Sequence, residues 1–240
     1  MQTDAGFRPF TTNHAFVVIA FVGLVIALCS IGRRVRGTSA EPRLRFSLGI
    51  TALVIWGWSQ VHWLQPRLFV WSESLGLHVC DLGGLVAAAA FLSNHRWLRS
   101  LLYFWGIVLC TQAFVTPIVT EGPDTVRFWL FWLSHAAIVG LAIFDFVAGG
   151  FAPTFVDLIV SILITAAYVA AMFVLDFLTG WNYGYVGNVP SDTPTLLDHL
   201  GPWPWRVLVQ VALGVIGFTL AWIPWEIARR LRGSPASMSE

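Results

Sequence analysis

The stretch "AFVVIAFVGLVIALCSIG", residues 15–32, carries no charged side chain and is stopped by Arg33 and Arg34. A helix crosses a bilayer with about 20 mostly apolar residues. Inside hydrocarbon every backbone N–H and C=O must be satisfied within the protein, which leaves helices or a closed barrel. Seven such segments lie along the chain, at 14–32, 46–64, 75–93, 98–119, 127–147, 154–178 and 204–226. The expected fold class is therefore all-α, a polytopic membrane helix bundle of about seven transmembrane helices. Composition agrees: 57% of residues are hydrophobic and 11% charged, against about 25% charged in a soluble domain. No soluble domain fits between the spans, so residues 1–240 read as one transmembrane domain.

Charge in the loops predicts an orientation. Arg33, Arg34, Arg36, Arg43, Arg45, Arg96, Arg99, Arg229, Arg230 and Arg232 fall on one side. Arg8, Arg67 and Arg127 fall on the other, accompanied by Asp4, Glu73, Glu121 and Asp124. Positive loops stay inside, so the N-terminus is expected outside and the C-terminus in the cytoplasm. The first span has neither a basic n-region nor a small-residue cleavage site, and reads as a mature helix rather than a leader. The expected aromatic belt on the outer side is Trp63, Trp71, Trp129, Trp181, Trp203 and Trp205. The segment 179–203 is an outer loop rich in Gly, Pro, Asn and Asp, and is expected to fold back over the bundle as a lid or to lie as an ordinary interfacial loop.

The motif "LHVCDLGG" at 77–84 places a histidine, a thiol and a carboxylate at the head of an apolar run. With 1.5 Å per residue, Cys80 lies roughly 7 Å inside the third span, and His135 of "FWLSHAAIV" roughly 12 Å inside the fifth. Both spans run inward, so the two side chains share a depth. Gln60, His62, Gln112, Thr116 and Asp176 approach the same level, whereas Asp145, Asp157 and Glu226 sit near the opposite helix ends. On a regular helix His78 is about 160° from Cys80 and about 60° from Asp81. His78 and Asp81 are then a candidate polar pair, and any base for Cys80 has to come from another helix, His135 first. Gly84, one turn below Cys80, and Gly83 permit close helix approach or leave room for a chain.

A thiol needs deprotonation before it attacks, and a neighbouring imidazole can take the proton. At this depth the reachable esters belong to outer-leaflet lipids. Asn182 and Gln112 are candidate donors to a tetrahedral oxyanion. Blander roles compete throughout: Cys29 and Cys110 read as inert packing, His135 and Ser134 as interhelical hydrogen-bonders, and Asp198–His199 as loop capping. Three cysteines in apolar segments argue against a disulfide framework. No metal-ligand spacing, phosphate loop or serine elbow is present, so neither cofactor nor metal is expected. A net charge of +1 gives no reason to expect nucleic acid.

Five motifs together, "LHVCDLGG" (77–84), "LLYFWGIVLCTQAFVTP" (101–117), "FWLSHAAIV" (131–139), "WNYGYV" (181–186) and "PTLLDHLGPWPW" (194–205), resemble the bacterial YwaF-type integral membrane family. That family is related to the eukaryotic transmembrane acyltransferase that makes polyunsaturated ether phospholipids. The resemblance covers about residues 70–225. It implies acyl transfer between phospholipids or lysophospholipids in a bacterial cytoplasmic membrane, with an essential cysteine and histidine falling on Cys80 and His135. It also marks Asn182, Tyr183 and Asp198 as motif residues. The eukaryotic substrate itself is not carried over.

The leading expectation is thus a Cys/His membrane acyltransferase, with His78, Asp81, Gln112, Ser134, Asn182, Tyr183 and Asp198 as the supporting polar pocket. A lipid hydrolase differs only in taking water as acceptor. A small polar-cored transporter would need polar groups continuing to the inner face, and a non-catalytic assembly protein would need no chemistry.

Overall fold

A computed structural model describes residues 6–189 and 199–233. Asp198, one of the sequence-derived candidates, lies outside them. Among the described residues seven α-helices follow in order: α1 (Thr12–Val35), α2 (Ala40–Trp63), α3 (Val79–Ser93), α4 (Arg96–Phe104), α5 (Val126–Val147), α6 (Phe155–Thr179) and α7 (Trp205–Gly233). α1, α5, α6 and α7 are long and apolar enough to cross a membrane; α3 is apolar but shorter. At 1.5 Å per residue the 15 residues of α3 extend about 22 Å, less than the roughly 30 Å hydrocarbon core.

Local chemistry starts the helices where polar residues permit it. Thr11 and Thr125 cap α1 and α5 through side-chain oxygens that accept from His14 N and Phe128 N. Thr154 and Asp157 form a reciprocal capping box on α6, which satisfies two otherwise orphaned donors.

Successive helices alternate in direction. One end gathers the starts of α1, α3, α5 and α7: His14 Nε2 donates to the Phe114 carbonyl and Arg206 to the Gly187 carbonyl. The other end gathers the starts of α2, α4 and α6 and is rich in arginine. There Asp145, only 2% exposed, accepts from Arg45 at 2.7 Å and from Arg99 at 2.8 and 3.0 Å. Asp157 accepts from Arg96, and Arg229 donates to the Pro153 carbonyl. The tryptophans expected to mark the opposite interface do lie at the other end, Trp63 beneath the Arg127 guanidinium at 5.2 Å. Between the ends Ala87, Ala88, Ala90, Phe91, Ile138, Val139, Leu141 and Ala142 form a buried apolar core.

Two expected spans change shape. The third helix begins at Val79, not Leu75; residues 75–78 form a bend ending at the His78 N-cap. The fourth is not one helix over 98–119. After α4 the backbone widens into a π-helical stretch, Trp105–Cys110, then tightens into a 3-10 turn, Thr111–Phe114, and leaves helix at Val115. Gly106 lets this stretch lie close against α5: a Cβ there would stand 2.7 Å from the Ala142 Cβ and 3.2 Å from the Ile138 carbonyl oxygen. The Thr111 hydroxyl donates to the Gly106 carbonyl at 2.9 Å, repairing the disturbed ladder.

Candidate functional site

Because α3 starts at Val79, Cys80 occupies its first turn rather than a position deep in a span. The backbone N–H groups of a first turn have no partner inside the helix, and the macrodipole is positive there. Both favour negative charge on a sulfur at this position.

Three elements bring groups to that sulfur. From α5 comes His135, 7% exposed and close enough to the Cys80 thiol for each to feel the other's charge. Its Nδ1 lies 2.7 Å from the Phe131 carbonyl oxygen. A carbonyl only accepts, so Nδ1 carries the proton and Nε2 is left as the ring's acceptor. From the π-helical stretch comes Cys110, whose Sγ is 3.8 Å from the Cys80 Sγ. Asp81, half-buried, acts electrostatically on both Cys80 and His135.

His78 is not on the helix, so the helical-angle argument does not apply to it. Its imidazole does not pair with Asp81; the Asp81 carboxylate turns back to the His78 backbone N–H, half of a capping box. The His78 ring packs between Tyr183 and Tyr185, with centroids 5.0 and 5.5 Å away, and accepts from Gly184 N at 3.4 Å. It remains close enough to Cys80 to feel its charge.

The segment 181–189 closes over this end. Tyr183 is completely buried; its hydroxyl donates to the Trp71 carbonyl at 2.7 Å and accepts from Leu75 N at 3.1 Å. Burial pushes the Tyr183 phenol up from its ordinary value, so it stays a protonated donor. Asp176 of α6 accepts from Tyr183 N at 3.0 Å. Gly184 has a φ of +64°, and a Cβ there would stand 2.8 Å from the Tyr168 hydroxyl, so both conformation and space require glycine. Tyr168 in turn donates to the Leu77 carbonyl at 2.8 Å, and Gln210 of α7 donates to the Gly184 carbonyl at 3.1 Å.

The model of the TMEM164 family matches residues 9–222. The chain belongs to that family. No curated protein and no solved structure gave a significant match.

In this TMEM164-family chain the expected residues divide. Cys80, His135, Asp81 and His78 come together. Asn182 does not act as a free donor: its amide donates to the Val189 carbonyl at 2.8 Å and its oxygen accepts from Gly187 N at 2.9 Å, closing its own loop. Gln112 is exposed on the 3-10 turn, and Ser134 is half-buried one residue before His135. Gly83 and Gly84 serve close packing: added Cβ atoms would meet Ile138 at 3.4 Å and Trp56 at 3.1 Å. Cys110, read from sequence as inert packing, lies against the central thiol instead. The same depth count would have found it, since it lies twelve residues into a span entered at residue 98 from the opposite side.

Proposed function

We propose that this protein is an integral membrane acyltransferase that moves fatty acyl chains between membrane lipids through a thioester on Cys80, with His135 as base. The supporting observation is the Nδ1–Phe131 bond, which leaves Nε2 as the acceptor of a ring whose charge is felt at the Cys80 thiol. Nucleophile, base and an orienting third group are the recurring arrangement for an activated nucleophile.

The Cys80 thiol gives its proton to His135 Nε2 while sulfur attacks the donor lipid's ester carbonyl. The resulting oxyanion forms beside the first-turn N–H groups of α3, which have no partner within the helix and are the type of donor that stabilises such charge. Collapse breaks the C–O bond, and the lysolipid leaves with the proton from His135. The acceptor's hydroxyl then loses its proton to His135 and attacks the thioester, and Cys80 departs and is reprotonated. Phospholipids and lysophospholipids are the substrates, in a bacterial cytoplasmic membrane, and the YwaF-type branch is part of the same reading. Seven segments cross the bilayer, the third and fourth completed by the bend before α3 and by the π-helical and 3-10 stretches after α4, with the N-terminus and Cys80 toward the outer leaflet and the arginine-rich end inside. Residues 181–189 act as a lid that restricts water, which favours transfer over hydrolysis. The apolar wall from Ala87 to Phe91 and from Ile138 to Ala142 speaks against a polar transport route.

The test is acyl transfer in proteoliposomes holding a phosphatidylcholine donor and an isotope-labelled lysophospholipid acceptor. Labelled product that disappears in Cys80→Ser is expected. Transfer at the wild-type rate in Cys80→Ser overturns the reading.

A further inference from the structure

Two of the three cysteines touch. The Cys80 and Cys110 sulfurs are 3.8 Å apart, on adjacent elements, and both are free thiols. No side chain stands between them: the nearest candidate position is Gly83, where even a Cβ would be 3.8 Å from the Cys110 sulfur. Their exposures differ. Cys80 is half-buried, whereas Cys110 is 0% exposed. Each lies at a junction in the backbone: Cys80 is the second residue of α3, and Cys110 closes the π-helical stretch before a 3-10 turn. A disulfide needs the sulfurs at about 2.05 Å, and backbone at such junctions is held by fewer ladder bonds than mid-helix backbone. Cys29, on α1, has no thiol beside it in the described residues.

We propose that Cys80 and Cys110 form an oxidation site, in which a hydroperoxide reaching Cys80 converts the pair to a disulfide and withdraws Cys80 from nucleophilic chemistry. The Cys80 sulfur, its proton on His135, attacks one peroxide oxygen. The O–O bond breaks, the departing oxygen takes the proton from His135 and leaves as alcohol or water, and Cys80 is left as a sulfenic acid. The Cys110 sulfur then attacks the Cys80 sulfur. The S–O bond breaks, and the hydroxyl leaves with the Cys110 proton as water. Two electrons pass from the sulfur pair to the peroxide. An accessible thiol with a resolving cysteine next to it is the usual form of a reversible redox site. Reduction by a small dithiol restores both thiols. This site stands on the sulfur geometry and does not require that Cys80 carry acyl groups.

The experiment treats purified full-length protein in nanodiscs with hydrogen peroxide, blocks remaining thiols with N-ethylmaleimide and maps peptides by mass. In wild type, two of the three thiols are expected to be lost to labelling together, with a Cys80–Cys110 cross-linked peptide that dithiothreitol reverses. In Cys110→Ser, with melting temperature as the folding control, Cys80 is expected to be trapped by dimedone as sulfenic acid and then to over-oxidise irreversibly. Over-oxidation of Cys80 in wild type without a cross-link overturns the proposal. So does a Cys80 left unchanged at a peroxide level that oxidises free glutathione. A cross-link in a protein that transfers no acyl chain would remove the acyltransferase reading and leave the oxidation site standing.

Discussion

His135 Nδ1 and the Phe131 carbonyl oxygen are 2.7 Å apart, one turn of α5 joined to itself through an imidazole. The bond does what a carboxylate does in other nucleophile–base pairs: it fixes the tautomer. His135→Asn keeps a donor near Phe131 but supplies no base. Acyl transfer should fall by about 10²–10⁴, the usual contribution of a positioned general base, with little change in melting temperature. Initial rates in proteoliposomes check this.

Tyr183 ties segment 181–189 to the bend before α3. Tyr183→Phe removes one donor and one acceptor, to Trp71 and Leu75. At about 1 kcal/mol per hydrogen bond the loss is roughly 2 kcal/mol, concentrated in that loop. Limited proteolysis should cut between 181 and 189 faster, before any global unfolding.

Much of this architecture was legible in the chain. Hydropathy placed seven helices because the bilayer sets both length and apolarity. Depth counting paired Cys80 with His135 because two parallel helices share a rise per residue. The misreadings have physical causes. Residues 75–78 are apolar enough to pass as helix, yet Tyr168, Tyr183 and Gly184 contact them from distant positions and hold them as a bend. The break after Phe104 lies where Gly106 packs closely against α5, a tertiary fact that hydropathy does not carry. Asn182 looked like a free donor because its loop partners, Gly187 and Val189, are visible only once the loop is folded.

Asn182→Ala distinguishes loop closure from catalysis. Removal of an oxyanion donor costs about 10²–10³ in rate. Because Asn182 spends both ends of its amide on its own loop, transfer should fall by less than about tenfold, while the loop's hydrogen exchange accelerates.

Asp145 is the most exposed weakness of the arginine-rich end. It accepts from two guanidinium groups that are themselves largely buried, Arg45 at 12% and Arg99 at 16% side-chain exposure. Asp145→Asn leaves those cations uncompensated, and breaking a buried pair costs about 3–5 kcal/mol. A large drop in melting temperature in detergent is expected. Arg230→Ala, on a side chain 78% exposed, should shift stability by less than about 1 kcal/mol.

The most direct measurement is covalent capture at Cys80. Purified wild-type protein and the Cys80→Ser and His135→Ala variants are incubated with a thiol-directed lipid electrophile, and labelling is followed by intact mass. Labelling at Cys80 that is absent in Cys80→Ser and at least about 10²-fold slower in His135→Ala is the expected result. Labelling of Cys80 at the same rate with and without His135 would contradict the Cys80–His135 mechanism.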